Sequence, residues 1–220
     1  MGEVVAPMRL EFEITHQCNK NCQLCDHRIR GSNYQMSYGD MRYGVDVAEL
    51  TRPDSVLVTG GEPLIHPEFG RMVEMLHAAL PDMPVVVMSN GALLDTVAPE
   101  LMESLHWEVT EYPGFNDAQV DRYRERENVT IKRARGFWNP YRDPDLDEAK
   151  ARAVRAKCIR QARVLGRRLY GCCLSEGIER YYRTDAAHVE FDENWRENMG
   201  RIPTWRACQH CFRAIDWRLI

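Results

Sequence analysis

LEFEITHQCNKNCQLCDH, Leu10 to His27, passes from an alternating strand pattern straight into three cysteines. Leu10, Phe12 and Ile14 alternate with Glu11 and Glu13, the period-two signature of a strand with one apolar face, and the pattern predicts a strand from Met8 to Ile14. Cys18, Cys22 and Cys25 follow at intervals of four and then three. Parallel α/β proteins place their chemistry in the loops that leave the C-terminal ends of strands, so the loop sits where a site is expected. Three thiolates leave a four-ligand set one short. His16 or His27 would complete a zinc site. A [4Fe–4S] cube would instead keep one iron open, able to coordinate a small molecule.

The same strand-then-loop phrasing recurs along the chain. Ser55 to Thr59 (SVLVT) ends in Gly60-Gly61, and Pro84 to Met88 (PVVVM) ends in Ser89-Asn90-Gly91. Trp107 to Tyr112 and Val129 to Ala134 are weaker strand candidates. Between them, Pro67 to Leu80 places Phe69, Met72, Val73, Leu76 and Leu80 on one helical face. Ala92 to Leu105 repeats that theme, with a break expected at Pro99. Alternating strands and helices predict a parallel sheet with right-handed crossovers. Four to six such units are too few for an eight-fold barrel and make a partial barrel or open α/β sheet. Asp143-Pro144 reads as the cap and first turn of a helix to about Lys157, after which the rhythm stops. Arg167 to Cys172 reads as a hairpin strand in an otherwise irregular tail. A boundary is expected at 145–157, dividing a unit 1–150 from a unit 151–220.

The chain has 220 residues, 44% hydrophobic and 28% charged, with a net charge of −4, ordinary values for a soluble globular protein. The acidic balance gives no push toward nucleic acid, and no run is long and apolar enough for a membrane span. MGEVVAPMRLEF carries no signal-peptide pattern, so a cytoplasmic protein is expected. Eight cysteines in that setting point to metal rather than disulfides. They fall in two groups: three at 18–25, then Cys158, Cys172, Cys173, Cys208 and Cys211.

Cys-x3-Cys-x2-Cys at 18–25 resembles the signature of the radical S-adenosylmethionine (radical SAM) superfamily. Gly60-Gly61-Glu62-Pro63 is similar to that family's GGEP motif, and Ser89-Asn90-Gly91 to a further segment near its cofactor. The resemblance implies a partial (β/α)5–6 barrel and a [4Fe–4S] cluster on Cys18, Cys22 and Cys25. It also implies S-adenosylmethionine on the open iron, near Leu24, Gly60, Gly61, Glu62, Pro63, Ser89 and Asn90. Electron transfer into the cube would then give methionine and a 5′-deoxyadenosyl radical that abstracts hydrogen from an unactivated C–H bond.

CQHC at 208–211, with Cys158 and one of Cys172 or Cys173, resembles the "twitch" auxiliary domain, a short relative of the SPASM domain holding a second [4Fe–4S] cluster. Tyr-x-Cys phrasing favours Cys172 as ligand. Cys173 is then a buried thiol or, more sharply, a hydrogen-atom donor to a substrate radical. Zinc is the plainer occupant of a Cys-x2-Cys site. The layout resembles the radical dehydrogenases of 2-deoxy-scyllo-inosamine. This implies oxidation or epimerisation of a carbinol carbon in a small polar metabolite such as an aminocyclitol or sugar. An external flavodoxin- or ferredoxin-like electron donor would be required. Peptide maturation and a zinc-binding structural module are the rival readings.

Residues 122–168 hold 15 Lys/Arg against 6 Asp/Glu. The pattern reads as a solvated face or as the attraction of an anionic substrate. Glu111-Tyr112, ending the fourth strand, is expected at the site by position, and Phe137-Trp138 after the fifth is expected to wall it. No general base is identified; Arg133, Arg135, His106 and Glu111 are the candidates.

Overall fold

The computed structural model describes residues 9–22, 25, 32–134, 146–157, 161–183, 188–199 and 208–210. Its frame is one mixed sheet of strands β1 (Arg9–Thr15), β2 (Ser55–Gly60), β3 (Val85–Ser89), β4 (His106–Glu111), β5 (Val129–Arg133), β6 (Gln161–Leu165), β7 (Arg168–Tyr170) and β8 (His188–Glu190). The spatial order is β5-β4-β3-β2-β1-β6-β7-β8. The first six are parallel, and β7 and β8 continue antiparallel. This is the α/β architecture the strand-helix rhythm predicts, with one parallel strand more than the rhythm announced.

The extra strand is β6. It pairs with β1, Leu10 opposite Ala162 and Phe12 opposite Val164. The expected boundary at 150/151 therefore divides the sequence but not the sheet. QARVL carries no clear strand signal in the sequence, because Arg163 interrupts its apolar run. The tail is also less irregular than expected, carrying α6 (Ser175–Tyr182), β8 and α7 (Trp195–Met199).

One face of the sheet makes the core. Leu10, Phe12 and Ile14, Val56 and Val58, Val85 and Val87, and Trp107 and Val109 are buried there, packed with residues of α1 (Tyr38–Thr51), α2 (Phe69–Ala79), α3 (Pro99–Ser104) and α4 (Asp117–Tyr123). Helix α1 is capped by Ser37, whose Oγ accepts from Asp40 N. It lies so close to β1 that a Cβ on Gly44 would stand 2.2 Å from the Phe12 ring. The break before Pro99 is present: a 3-10 turn, Leu94–Thr96, precedes α3.

The other face carries charge: Arg9, Glu11 and Glu13 on β1, Glu108 on β4 and Arg163 on β6. Strands lie about 4.8 Å apart and rise about 3.3 Å per residue, and the registers set Glu108 four residues past the level of Arg9, so a flat sheet would separate the two Cα atoms by about 19 Å, more than the extended side chains span. Yet Arg9 Nη1 reaches Glu108 Oε1 at 3.0 Å. The sheet must curl so that this face is concave, as in a partial barrel. Inside the curl Arg163 is 2% exposed and pairs with Glu11 at 3.0 Å and Glu13 at 2.8 Å. Helix α5 (Glu148–Lys157) precedes β6. Among the described residues no helix is long and apolar enough to cross a membrane.

Candidate active site

The cysteine loop is closed at its base. Met36 N donates to Ile14 O (2.7 Å), His16 N donates to Tyr34 O (3.0 Å), and Thr15 bridges Gln35. Residues between these points form a loop with its ends together, standing on the C-terminal end of β1. His16 is turned inward: its Nδ1 lies 2.7 Å from Ser32 Oγ and its Nε2 3.4 Å from Glu13 Oε1. Its side chain thus supports the loop from beneath. His27 and Leu24 lie outside the described residues.

The Gly60-Gly61-Glu62 segment seats this base. Gly61 N donates to Thr15 O (2.7 Å) and Glu62 N to Gln17 O (2.8 Å). A Cβ would stand 2.3 Å from Thr15 O at Gly60, and 2.2 Å from Gln17 O at Gly61. Gly60 also has φ 144°, a conformation open to glycine. Close backbone approach is the reason for glycine here. The structure shows that what approaches is the chain's own cysteine loop. Pro63, buried, opens a 3-10 turn, and Glu62 caps it by accepting from Leu64 N (3.2 Å). Beyond the turn, His66 is buried and accepts at Nδ1 from Glu68 N, so its Nε2–H donates to Met36 O (3.0 Å). The returning arm of the cysteine loop is thereby held as well. Burial, partly offset by that bond and by Glu68, lowers the His66 pKa, which fits the neutral ring.

Glu62 ties this segment to the end of β3. Its fully buried carboxylate accepts from Ser89 Oγ (2.9 Å) at Oε1 and from Asn90 N (2.7 Å) at Oε2. Burial nevertheless raises its pKa; the three bonds work against that. Asn90 then turns to the cysteine loop: its Nδ2 donates to Asn19 Oδ1 (2.7 Å) and lies 3.7 Å from Cys18 Sγ. Lys20 N also donates to Cys18 Sγ (3.4 Å). Burial pushes the Cys18 thiol up, with the Lys20 N–H and the Asn90 amide opposing and the Glu62 carboxylate and Cys22 adding to it.

Two contributors carried no sequence signal of their own. Asn116, fully buried, donates to Asn90 O and Thr110 O and accepts from Tyr112 N. It thus joins the ends of β3 and β4; its place in the Asn-Asp start of α4, just past a strand end, is the clue that was available. Lys20, between the first two cysteines, holds its ammonium 4.6 Å from the Tyr112 ring and 4.1 Å from that of Phe115. Tyr112 is therefore at the cysteine loop as expected. Glu111 is turned to the α4 side, its carboxylate taking Arg124 (2.5 Å) and Arg133 (3.8 Å). The strand period decides this: Glu111 shares the face of Trp107 and Val109, not that of Glu108. His106 is exposed at the opposite end of β4. Arg135, Phe137 and Trp138 lie outside the described residues.

In the C-terminal segment Cys172 and Cys173 follow β7. Cys172 is buried and its sulfur accepts from Leu174 N (3.4 Å). The hydrogen bond with Cys172, then burial, then the charges of Cys172 and Glu11 push the Cys173 thiol well up, with Arg163 opposing. Cys208 is buried, and Gln209 docks ahead of α5, exchanging bonds with Leu146. Cys158 and Cys211 lie outside the described residues.

The donor set fits an iron–sulfur cluster. Three half-buried thiols stand on one loop, with backbone and amide N–H groups aimed at Cys18.

A loop of three cysteines stands on β1, seated by a Gly-Gly-Glu turn on β2 and a polar turn on β3. Residues 12–108 match the family described as the Radical SAM superfamily. The S-adenosylmethionine-dependent nucleotide dehydratase RSAD2 of Oncorhynchus mykiss is 26% identical over 133 residues, 59% of this chain and 36% of that protein. The GTP 3′,8-cyclase of Sulfurovum sp. (strain NBC37-1) is 26% identical over 99 residues, 43% of this chain and 30% of that protein. The chain thus spans about a third of the length of the curated relatives it matches. In fold it is similar to BtrN in complex with AdoMet and 2-DOIA, with TM-score 0.62, 16% identity, and coverage of 94% of this chain and 93% of that one. Streptococcus suis SuiB bound to S-adenosylmethionine has TM-score 0.52, 12% identity, and coverage of 93% and 68%.

Proposed function

We propose that the chain is a radical enzyme acting on a small polar metabolite, oxidising or epimerising a carbinol carbon of an aminocyclitol- or sugar-like substrate. The observation that carries this reading is the convergence of three strand ends on one thiol: Glu62 grips Ser89 and Asn90, and Asn90 reaches Cys18. Cys18, Cys22 and Cys25 would hold a [4Fe–4S] cluster, and Gly60 to Pro63 with Ser89 and Asn90 would border S-adenosylmethionine. Bound there, the pair supplies a 5′-deoxyadenosyl radical on one-electron reduction by a flavodoxin- or ferredoxin-like donor. Cys158, Cys172, Cys208 and Cys211 would hold an auxiliary [4Fe–4S] cluster that accepts the electron left after hydrogen abstraction. Cys173 is the candidate hydrogen-atom donor if the reaction is epimerisation.

The aminocyclitol reading draws support from the likeness to BtrN across nearly the whole chain, and from a concave face of charged side chains suited to a polar molecule. A nucleotide is the second reading, from the names of the curated relatives. It draws less support from the described basic residues of 122–134, which are engaged: Arg122 by Asp95, Arg124 by Glu111 and Asp121, Lys132 by Glu108, and Arg126 by the Tyr123 ring.

The test is anaerobic reconstitution followed by turnover. About 8 iron per chain is expected if both cubes form. Cys22→Ala should abolish 5′-deoxyadenosine formation. A ketone product marks oxidation; solvent deuterium at an unchanged oxidation level marks epimerisation. Zinc without iron overturns the reading.

A further inference from the structure

Asn90 has more contacts than a cofactor-lining residue needs. Its backbone N–H is taken by Glu62 Oε2 and its carbonyl by Asn116 Nδ2, while its own Oδ1 accepts from Ala92 N (3.0 Å). All three fix the carboxamide from behind. The oxygen is committed to the backbone, so the amide nitrogen must face forward, to Asn19 Oδ1 and Cys18 Sγ. The side chain is 7% exposed, so water competes little for those protons. A rigid, buried N–H donor beside a ligand sulfur draws electron density from it, and such bonds help set the reduction potential of an iron–sulfur cluster.

We propose that Asn90 is a positioning residue whose side-chain amide, donating to the Cys18 sulfur, raises the reduction potential of the cluster held by the cysteine loop. This rests on the assignment of Cys18 as a cluster ligand. The amide makes the reduced cluster, which carries one more negative charge, easier to form. Asn19 shares the amide and fixes its direction, which places the Asn-Lys pair between the first two cysteines in the same device.

The test is a redox titration of the reconstituted chain, followed by the electron paramagnetic resonance of the reduced cluster. S-adenosylmethionine is omitted, so that any contact of Asn90 with it plays no part. Asn90→Asp keeps the shape and the acceptor for Ala92 N but removes the donor and adds a negative charge, so Asn90→Ala, which removes the donor without adding charge, is titrated beside it and must show the fall as well. The potential of each should fall by at least a factor of ten in the one-electron equilibrium constant, about 59 mV. Asn19→Ala leaves the amide to Cys18 alone, and its potential should not fall. An unchanged potential in either Asn90 variant, or the same fall in Asn19→Ala, overturns the proposal. Asn90→Ala alone decides if Asn90→Asp takes up no iron. Loss of iron in both with an unaltered circular dichroism spectrum would make Asn90 an assembly residue and overturn the proposal. Absence of iron in the parent chain would instead overturn the cluster assignment itself.

Discussion

At Gly61 a single missing methyl group decides whether the cysteine loop has a seat. The backbone of residues 60–62 lies directly against Thr15 to Gln17, and the two N–H···O bonds there form only at that separation. Gly61→Ala would push a Cβ onto a backbone carbonyl, which unlike a side chain cannot swing aside. The expected cost is about 1–3 kcal/mol, with reduced iron retention after reconstitution. Thermal melting and iron content measured together check it; if neither changes, the close seat is dispensable. Cys18, Gly60, Gly61, Glu62, Ser89 and Asn90 stand out as a set in the sequence because each lies at a strand end or within a few residues past one. Asn116 and Lys20 do not, because a buried amide and a ring-facing ammonium are recognised only once the strands are aligned. Glu111 shows the limit of reasoning by strand end alone, since position brought it near and the strand's period turned it away.

Among the elements, β1 to β5 and α2 were readable from alternation, β-branched runs and helical spacing. Helix α1 escaped notice because its buried face, Met41, Gly44, Val45 and Ala48, includes a glycine, and Arg42, Tyr43 and Asp46 break the contrast. Strand β6 escaped because an arginine at the centre of a strand argues for solvent unless carboxylates wait for it on its neighbour. The concave face is built from such pairings, and Glu108 joins β1 to β5 through Arg9 and Lys132. Burial raises its pKa, but the hydrogen bond from Lys132 and the charges of Arg9 and Lys132 outweigh it, and the net shift is downward. A carboxylate held lower in the folded state stabilises above its ordinary value of 4.5 and loses that contribution as pH falls through the lowered value. Glu108→Gln should therefore cost about 0.5–1 kcal/mol at neutral pH, the pair being partly exposed, and nothing near pH 2. Urea titrations at both pH values check the sign. An equal loss at both would assign the effect to packing.

For the whole molecule, the decisive joint is between β1 and β6, where Arg163 serves two buried carboxylates. Removing it leaves Glu11 and Glu13 buried without their shared cation, so Arg163→Met should cost about 3–5 kcal/mol by chemical denaturation. A loss below 1 kcal/mol would mean that the carboxylates find other partners. Strand pairing crosses the boundary expected near residue 150. Composition changes there, but strand pairing does not respect composition, and the segment that follows completes the sheet rather than hanging from it. The hairpin beyond β6 is attached to the cysteine loop as well, through Gly166 N donating to the Tyr34 hydroxyl (2.6 Å).

That joint has a consequence for how the chain is born. On the ribosome the three thiols emerge before β6, which follows some 140 residues later, on the order of ten seconds at ordinary synthesis rates. The base of the loop can close as soon as residues 60–62 appear. Glu13, which lies beneath His16, gains its ion pair with Arg163 only when β6 arrives. During that interval the thiol loop stands over a sheet that β6 has not yet joined, and metal or oxidant meeting it then encounters a different site from the finished one.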